Sequence, residues 1–154
     1  MTNNTQKKIC LCCYVALAFC GVYTVFMALH FIQLLNGKND IDWLQNGIVK
    51  LSFFSLYVLS SFLMMGMWIK VVLNILKGLR ESVVFPKNNV HLLFWLALVY
   101  FIYILCWSNQ MILYHDEFAF RVQANNLIMP FFLLFFAFMY KVAADAVEEN
   151  NLTI

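Results

Sequence analysis

The stretch ICLCCYVALAFCGVYTVFMALHFIQLL, residues 9–35, decides the fold of this 154-residue chain. It contains no Asp, Glu, Lys or Arg. At ~1.5 Å per residue, a helix over this stretch is longer than the ~30 Å hydrocarbon core of a bilayer. The apolar run is also too long for the core of a cleaved signal peptide. The stretch therefore predicts an uncleaved membrane-spanning helix.

Three more apolar stretches follow, over residues 48–69, 90–114 and 127–147. The start of the last one is open, because a helix beginning near Asp116 and kinked at Pro130 fits as well as one continuing through Ala144. The whole chain is 64% hydrophobic and 12% charged, whereas a soluble domain has roughly 25% charged residues. The sequence predicts one all-α domain, an integral membrane four-helix bundle.

The lysines and arginines predict the orientation of the four spans, because cytoplasmic loops carry an excess of these residues. Only Lys38, Lys50 and Arg121 fall on one side. The other side carries Lys7, Lys8, Lys70, Lys77, Arg80, Lys87 and Lys141. This asymmetry predicts that both ends of the chain are cytoplasmic, together with a loop at residues 70–89 and a tail at residues 145–154.

Polar residues in the predicted loop recur at helical spacing. Lys70, Asn74 and Lys77 are separated by steps of three and four residues, which is typical of an amphipathic helix. This pattern predicts that the second helix continues beyond the span and lies near the lipid headgroups. Asn88 or Asn89 is expected to cap the third helix, because asparagine is a favoured N-cap residue.

The sequence has no motif for catalysis, metal binding or a cofactor. No ionisable group lies deep in a span, as the mechanism of a pump or proton relay requires. Nucleophile–base pairs and metal-ligand spacings are also missing, so no enzymatic activity is expected. The net charge of +2 is not clustered, which argues against direct nucleic-acid binding.

The third helix carries a polar stripe among apolar residues. Leu93 and Leu96 begin the stripe, and alternating steps of three and four residues continue it through Tyr100, Tyr103, Trp107, Gln110 and Tyr114. A phenol or indole N–H in lipid needs a hydrogen-bond partner. The stripe therefore predicts a face that either bonds to other helices or lines a ligand pocket.

Small residues predict where helices approach closely, because they let two backbones come together in a bilayer. The first helix has a ridge of Ala16, Cys20, Thr24 and Ala28, and the second has a thinner ridge of Ser52, Ser55 and Gly66. Phenylalanines surround the fourth helix at Phe131, Phe132, Phe135, Phe136 and Phe138. Their distribution predicts a helix with a lipid-facing surface.

Two segments resemble a bacterial family of small four-helix membrane proteins catalogued as domain of unknown function, family 2975. The residues that match the loop pattern of that family are Phe85, Asn89, Val90 and Leu93. Those that match its tail are Tyr140, Lys141, Ala143, Glu148, Glu149, Leu152, Thr153 and Ile154. Members of the family are often encoded beside small helix-turn-helix regulators. The resemblance implies an inner-membrane protein that partners a transcription regulator.

These observations together predict a non-enzymatic interaction protein with membrane lipids and a cytoplasmic protein, or a second copy of itself, as partners. The candidate interaction residues are Phe85, Asn89, Val90, Leu93, Glu148, Glu149, Leu152, Thr153 and Ile154. The basic loop and the acidic tail are expected to attract one another. The alternative function is small-molecule transport or hydrophobic-ligand binding along the polar stripe.

Overall fold

A computed structural model describes residues 3–36, 41, 47–81, 83, 85–114 and 120–152. Within these ranges the chain is helical, without a strand, and its helices are α1 (Asn3–Leu35), α2 (Gly47–Arg80), α3 (Asn88–Ser108), α4 (Met111–Tyr114) and α5 (Ala124–Leu152). All but the short α4 are long and apolar enough to cross a membrane. The predicted all-α, four-helix architecture is confirmed.

Long helices that follow one another in the sequence are also neighbours in space. Helix α1 packs on α2, α2 packs on α3, and α3 packs on α5. Among the described residues, α1 has no backbone contact with α3 or α5. The core between the helices includes Tyr57, Leu96 and Ala137, each at most 1% exposed. The bundle is therefore open on the side between α1 and α5.

The helices alternate in direction, so both ends of the described chain lie at the same end of the bundle. The side-chain amide of Gln6, near the start of α1, donates to the carbonyl of Leu79 near the end of α2, at 2.7 Å. Lys87 before α3 contacts Glu148 near the end of α5. We name this end the terminal end, and the opposite end, which includes Asn109 and Arg121, the distal end.

Helix α1 is largely uncovered by the rest of the protein, since only 6% of the residues in its most apolar stretch are buried. Its buried positions include Met27, Phe31 and Leu34. The ridge of Ala16, Cys20, Thr24 and Ala28 is half-buried along this helix. The exposed apolar surface of α1 is suited to lipid, because soluble proteins rarely leave so large a patch uncovered.

The small-residue ridge predicted on α2 is wrong. Ser52, Ser55 and Gly66 are exposed, whereas Ser60 and Ser61 are buried. Both buried hydroxyls donate to one carbonyl, that of Tyr57, at 3.0 and 2.7 Å. These local bonds satisfy both hydroxyls within the helix. The buried serines therefore keep this face of α2 narrow and need no hydrogen-bond partner on another helix.

Helix α2 continues through most of the predicted loop. The helical extension is present, but Val71 and Leu79 are buried, so this part packs within the bundle rather than lying along the headgroups. The connection between α2 and α3 is correspondingly short, from Glu81 to Lys87. The predicted loop at residues 70–89 is therefore mainly helix.

Helix α3 ends at Ser108 rather than at Tyr114, because the next residue forms long-range bonds. The side-chain amide of Asn109 donates to the carbonyls of Leu105 and Arg121, at 2.8 and 2.9 Å. The backbone N–H of Arg121 donates to the side-chain oxygen of Asn109 at 2.7 Å. This buried asparagine anchors the segment before α5, and Tyr114 falls in the separate helix α4.

Helix α5 begins at Ala124 and contains Pro130. Residues 120–123 are not helical, so the predicted start near Asp116, which itself lies outside the described residues, is wrong. The predicted continuation through Ala144 is confirmed, and the helix extends on to Leu152. The kink at Pro130 stays a prediction. Consistent with a lipid-facing helix, the exposed side chains include Phe131, Phe132, Phe135, Phe136 and Phe138.

Candidate functional site

A buried asparagine, Asn89, connects three helices at the terminal end. Its side chain is fully buried, and its oxygen accepts a hydrogen bond from the amide of Asn74 on α2 at 2.8 Å. Its amide donates to the carbonyl of Val71 at 3.1 Å and to the hydroxyl of Tyr140 on α5 at 3.4 Å. A buried amide with partners on two other helices specifies how these helices meet.

The prediction that Asn88 or Asn89 caps α3 is wrong. Lys87 occupies the N-cap position, and no side chain makes a capping bond there. The backbone N–H groups of Asn89 and Val90 instead donate to the carbonyls of Pro86 and Lys87, both at 2.9 Å. The side chain of Asn89 is therefore available for the bonds to α2 and α5.

The connection between α2 and α3 folds closely onto Gly78 and Tyr140. The backbone N–H of Val83 donates to the carbonyl of Gly78 at 2.7 Å. The hydroxyl of Tyr140 donates to the carbonyl of Pro86 at 3.4 Å, and its ring lies edge-on to Phe85 with centroids 5.4 Å apart. We name Gly78, Phe85, Pro86, Asn89 and Tyr140 the terminal junction.

An exposed ion pair lies on the outer side of the terminal junction. The Lys87 ammonium donates to the Glu148 carboxylate, and both side chains are 52% exposed. The hydrogen bond to Glu148 raises the pKa of Lys87 above its ordinary value. The ammonium is thus charged at neutral pH, and the predicted attraction between the basic loop and the acidic tail is present in this pair.

A groove of about 500 Å³ lies beside this ion pair, between the start of α3 and the later part of α5. Its lining includes Lys87, His91, Lys141 and Asp145, with Phe94 as an aromatic wall. The ring of Phe94 is half-buried. The groove therefore combines both signs of charge with an apolar wall, a composition suited to binding polar groups on a protein partner.

The other predicted interaction residues differ in accessibility. Leu93 is 1% exposed, and Phe85 and Val90 are half-buried, so these family-like residues mainly support the fold. Glu149 is exposed. The remaining positions, the Leu152 side chain, Thr153 and Ile154, lie outside what the structure describes.

Residues of the predicted polar stripe make hydrogen bonds to α1 and α2, although Gln110 lies just beyond the end of α3. The hydroxyls of Tyr103 and Tyr23 are 3.2 Å apart, which connects α3 with α1. The side-chain amide of Gln110 donates to the hydroxyl of Tyr57 on α2 at 2.8 Å. These two bonds agree with the interpretation of the stripe as an interhelical bonding face.

The remaining residues of the stripe surround this bonded group. The ring of Tyr100 lies 5.8 Å from that of Tyr103, and the ring of Trp107 stacks on Tyr103 at 6.4 Å between centroids. Trp107 is nevertheless 50% exposed, and Tyr114 is half-buried on α4. Only part of the stripe is therefore enclosed by other helices.

Tyr57 is a central residue of this region that sequence analysis missed. It is 1% exposed, and its ring lies 6.1 Å from that of Tyr103 and 5.0 Å from that of Phe31. The available signal was a single tyrosine in the middle of an apolar span, which needs a partner for its hydroxyl. A single tyrosine forms no repeating pattern at helical spacing, so periodicity alone does not identify it.

Comparisons with other proteins leave the family open, since no family model, curated protein or solved structure matches this chain. The resemblance to family 2975 thus stays a prediction. Within the described residues, no group of three His, Cys, Asp or Glu side chains is arranged to hold a metal ion. The candidate site therefore rests on the geometry of the terminal end.

Replacing Asn89 by alanine should weaken the terminal junction. The substitution removes the partner of the Asn74 amide and both bonds from the Asn89 amide. Since an unsatisfied buried polar group costs ~1–3 kcal/mol, we expect a loss of about 2 kcal/mol in the free energy of unfolding. Denaturant unfolding of the purified protein in detergent measures it. Asn88→Ala is the control, because Asn88 is the exposed neighbour of Asn89. Equal destabilisation by both substitutions would contradict the role of the Asn89 side chain in joining the helices.

Proposed function

We propose that this chain is a non-enzymatic, multi-pass protein of a bacterial cytoplasmic membrane that binds a cytoplasmic protein through its terminal end. The observation that carries the proposal is the terminal junction, which joins α2, α3 and α5 around Asn89. Beside this junction the Lys87–Glu148 pair and the groove are exposed. Accessible charges of both signs that are held in place by a packed junction are suited to selective recognition of a protein partner.

The distribution of basic residues supports a cytoplasmic terminal end. Lys7 and Lys8 lie in the first turns of α1, Lys77 and Arg80 in the last turn of α2, and Lys87 before α3. Cytoplasmic segments near spans are enriched in lysine and arginine. Lysine and arginine side chains at this end also attract anionic lipid headgroups, at ~1 kcal/mol per residue. Lipid and the protein partner would therefore both bind at the terminal end.

The partner that we propose is a cytoplasmic regulator with a basic surface. The later part of α5 extends the acidic residues Asp145, Glu148 and Glu149 beyond its apolar stretch. Proteins that bind DNA carry a basic face, and such a face is complementary to this acidic segment. The resemblance to family 2975 suggests which class of protein this partner belongs to, namely the small helix-turn-helix regulators.

A deletion tests this function. Removing residues 148–154 eliminates the partner of Lys87, whereas removing residues 150–154 retains Glu148 and Glu149. We expect the longer deletion to abolish co-purification of the cytoplasmic partner at unchanged abundance in the membrane, and the shorter one to retain most of it. Affinity purification from native membranes with mass spectrometry measures both. Full partner recovery with the longer deletion would contradict the proposal.

A charge exchange separates the ion pair from the rest of the tail. Glu148→Lys should reduce partner recovery, and adding Lys87→Glu should restore it if the Lys87–Glu148 pair positions the tail for binding. If the double variant remains as defective as Glu148→Lys, then Glu148 contacts the partner directly. Glu81→Lys serves as the control, because Glu81 is exposed and pairs with Lys77 at 3.9 Å.

A second candidate function is hydrophobic-ligand binding within the membrane. It is favoured by a pocket of about 180 Å³ beside Tyr103, between α1, α2 and α3. Because α1 has no backbone contact with α3 among the described residues, a ligand could enter this pocket sideways from the lipid.

A further inference from the structure

A second groove at the terminal end lies between the first turns of α1 and the last turns of α2. Its volume is about 240 Å³. The hydrogen bond from the Gln6 side chain to the carbonyl of Leu79 joins the two helices at its wall. A cavity of about 150 Å³ accommodates benzene, so this groove has room for a phosphate group and its glycerol. We name it the α1–α2 groove.

The charges on the α1–α2 groove have one sign. Lys7 from α1 and Arg80 from α2 line it, and its lining contains no acidic side chain among the described residues. The groove beside the ion pair differs, because Asp145 lines it. Glu81, which follows Arg80, lines a separate groove together with Lys77 and pairs with that lysine. A guanidinium and an ammonium without a carboxylate are suited to binding a phosphate.

The polarity of the groove changes along its length. On α1, Lys7 is followed at helical steps by Cys10 and by Tyr14, which lies roughly 10 Å farther into the span. On α2, which runs in the opposite direction, Leu76 lies one turn deeper than Arg80. The charges are therefore at the outer end on both helices, and apolar side chains are at the inner end. A free phosphate would use only the outer end, whereas a phospholipid matches both ends.

We infer that the α1–α2 groove binds one anionic phospholipid, with the phosphate at Lys7 and Arg80 and the upper part of an acyl chain against Tyr14 and Leu76. Basic pockets between membrane helices bind lipid headgroups of this kind. The inference requires only that α1 and α2 span a bilayer, so it is independent of partner binding beside α5. It assigns one site to the lipid, in addition to the general attraction of basic residues for an anionic surface.

Quenching of tryptophan fluorescence by brominated lipid tests this site in nanodiscs. The parent variant lacks the native tryptophans through Trp43→Phe, Trp68→Phe, Trp95→Phe and Trp107→Phe. In this parent, Tyr14→Trp places the only tryptophan in the groove. Val15→Trp is the matched control, because Val15 is the next residue along α1, is 47% exposed and does not line the groove. The probes are phosphatidylglycerol and phosphatidylcholine with brominated acyl chains.

We expect phosphatidylglycerol to be favoured about tenfold over phosphatidylcholine at position 14, because two basic residues face its phosphate. At position 15 the two lipids should bind nearly equally. The same preference at both positions would show general surface attraction and overturn the inference. Inorganic phosphate in the buffer should leave the quenching at position 14 unchanged, and displacement of the lipid by phosphate would contradict the assignment to a phospholipid.

Two double substitutions in the Tyr14→Trp protein test the basic residues. Lys7→Gln with Arg80→Gln removes both charges from the groove and should reduce the preference at position 14 to that at position 15. Lys8→Gln with Lys77→Gln removes equal charge from the same two helices, but neither residue lines the groove, so the preference should remain. All four side chains are exposed, so neither pair disturbs the core. Equal losses in both variants, or no loss in the first, would refute the site.

Discussion

Truncating Tyr103 to alanine should lower the free energy of unfolding by about 3–5 kcal/mol, the range for large aromatic residues replaced by alanine in a core. Tyr103 is 7% exposed and contacts the rings of Tyr57, Tyr100 and Trp107. Alanine leaves a cavity among these rings and also removes the bond to Tyr23. Steric trapping or denaturant unfolding in detergent measures the change.

Tyr103→Phe separates the hydroxyl from the ring. Interhelical hydrogen bonds in membranes contribute only ~0.6 kcal/mol on average, so this variant should remain close to the parent. Leu98→Ala is the matched control, because Leu98 lies on the same helix and is 48% exposed. Equal and negligible effects of both Tyr103 substitutions would mean that this ring faces lipid and that the three-helix contact is wrong.

Gly78→Ala should destabilise the terminal junction by about 3 kcal/mol, at the upper end of the range for overpacking. A Cβ at this position would lie 2.5 Å from the carbonyl oxygen of Val83 and 2.7 Å from Cγ of Pro86. The chain must therefore move away from α2, which disturbs the contacts of Pro86 and Phe85 with Tyr140. Unfolding measured in the same detergent gives the change.

Gly66→Ala is the control for this steric argument. A Cβ at Gly66 meets no described atom within 4 Å, and glycine within a helix is less favourable than alanine by ~0.5–1 kcal/mol. We therefore expect Gly66→Ala to be neutral or slightly stabilising. If Gly78→Ala is equally harmless, the close approach of the α2–α3 connection to α2 does not contribute to stability.

The four long helices were predictable because apolar length is a local property of the sequence. Their ends were less predictable, since they depend on bonds to distant residues. Asn109 ends α3 by bonding to Arg121, and the hydrophobic pattern through Tyr114 contains no sign of that contact. The spacing of Lys70 and Asn74 predicted that α2 continues beyond the span, but the burial of Val71 and Leu79 within the bundle depends on contacts with other helices.

The candidate site was predictable only in part. Complementary charge identified the loop and tail as neighbours, and Lys87 and Glu148 do pair. The resemblance to family 2975 placed Asn89 and Leu93 on an interaction surface, whereas both are buried. A sequence motif does not show whether a residue contacts a partner protein or packs against the helices of its own chain. Distinguishing the two requires knowing how α2, α3 and α5 pack together.

The most direct test of the account is the side of the membrane on which the terminal end lies. In a variant without native thiols, single cysteines replace Asn88 at the terminal end and Gln123 at the distal end, both exposed positions. A membrane-impermeant maleimide added to intact cells should label the cysteine at position 123 and leave that at position 88 unlabelled until the membrane is permeabilised. Labelling of position 88 in intact cells would contradict the proposed orientation and, with it, the binding of a cytoplasmic partner at this end.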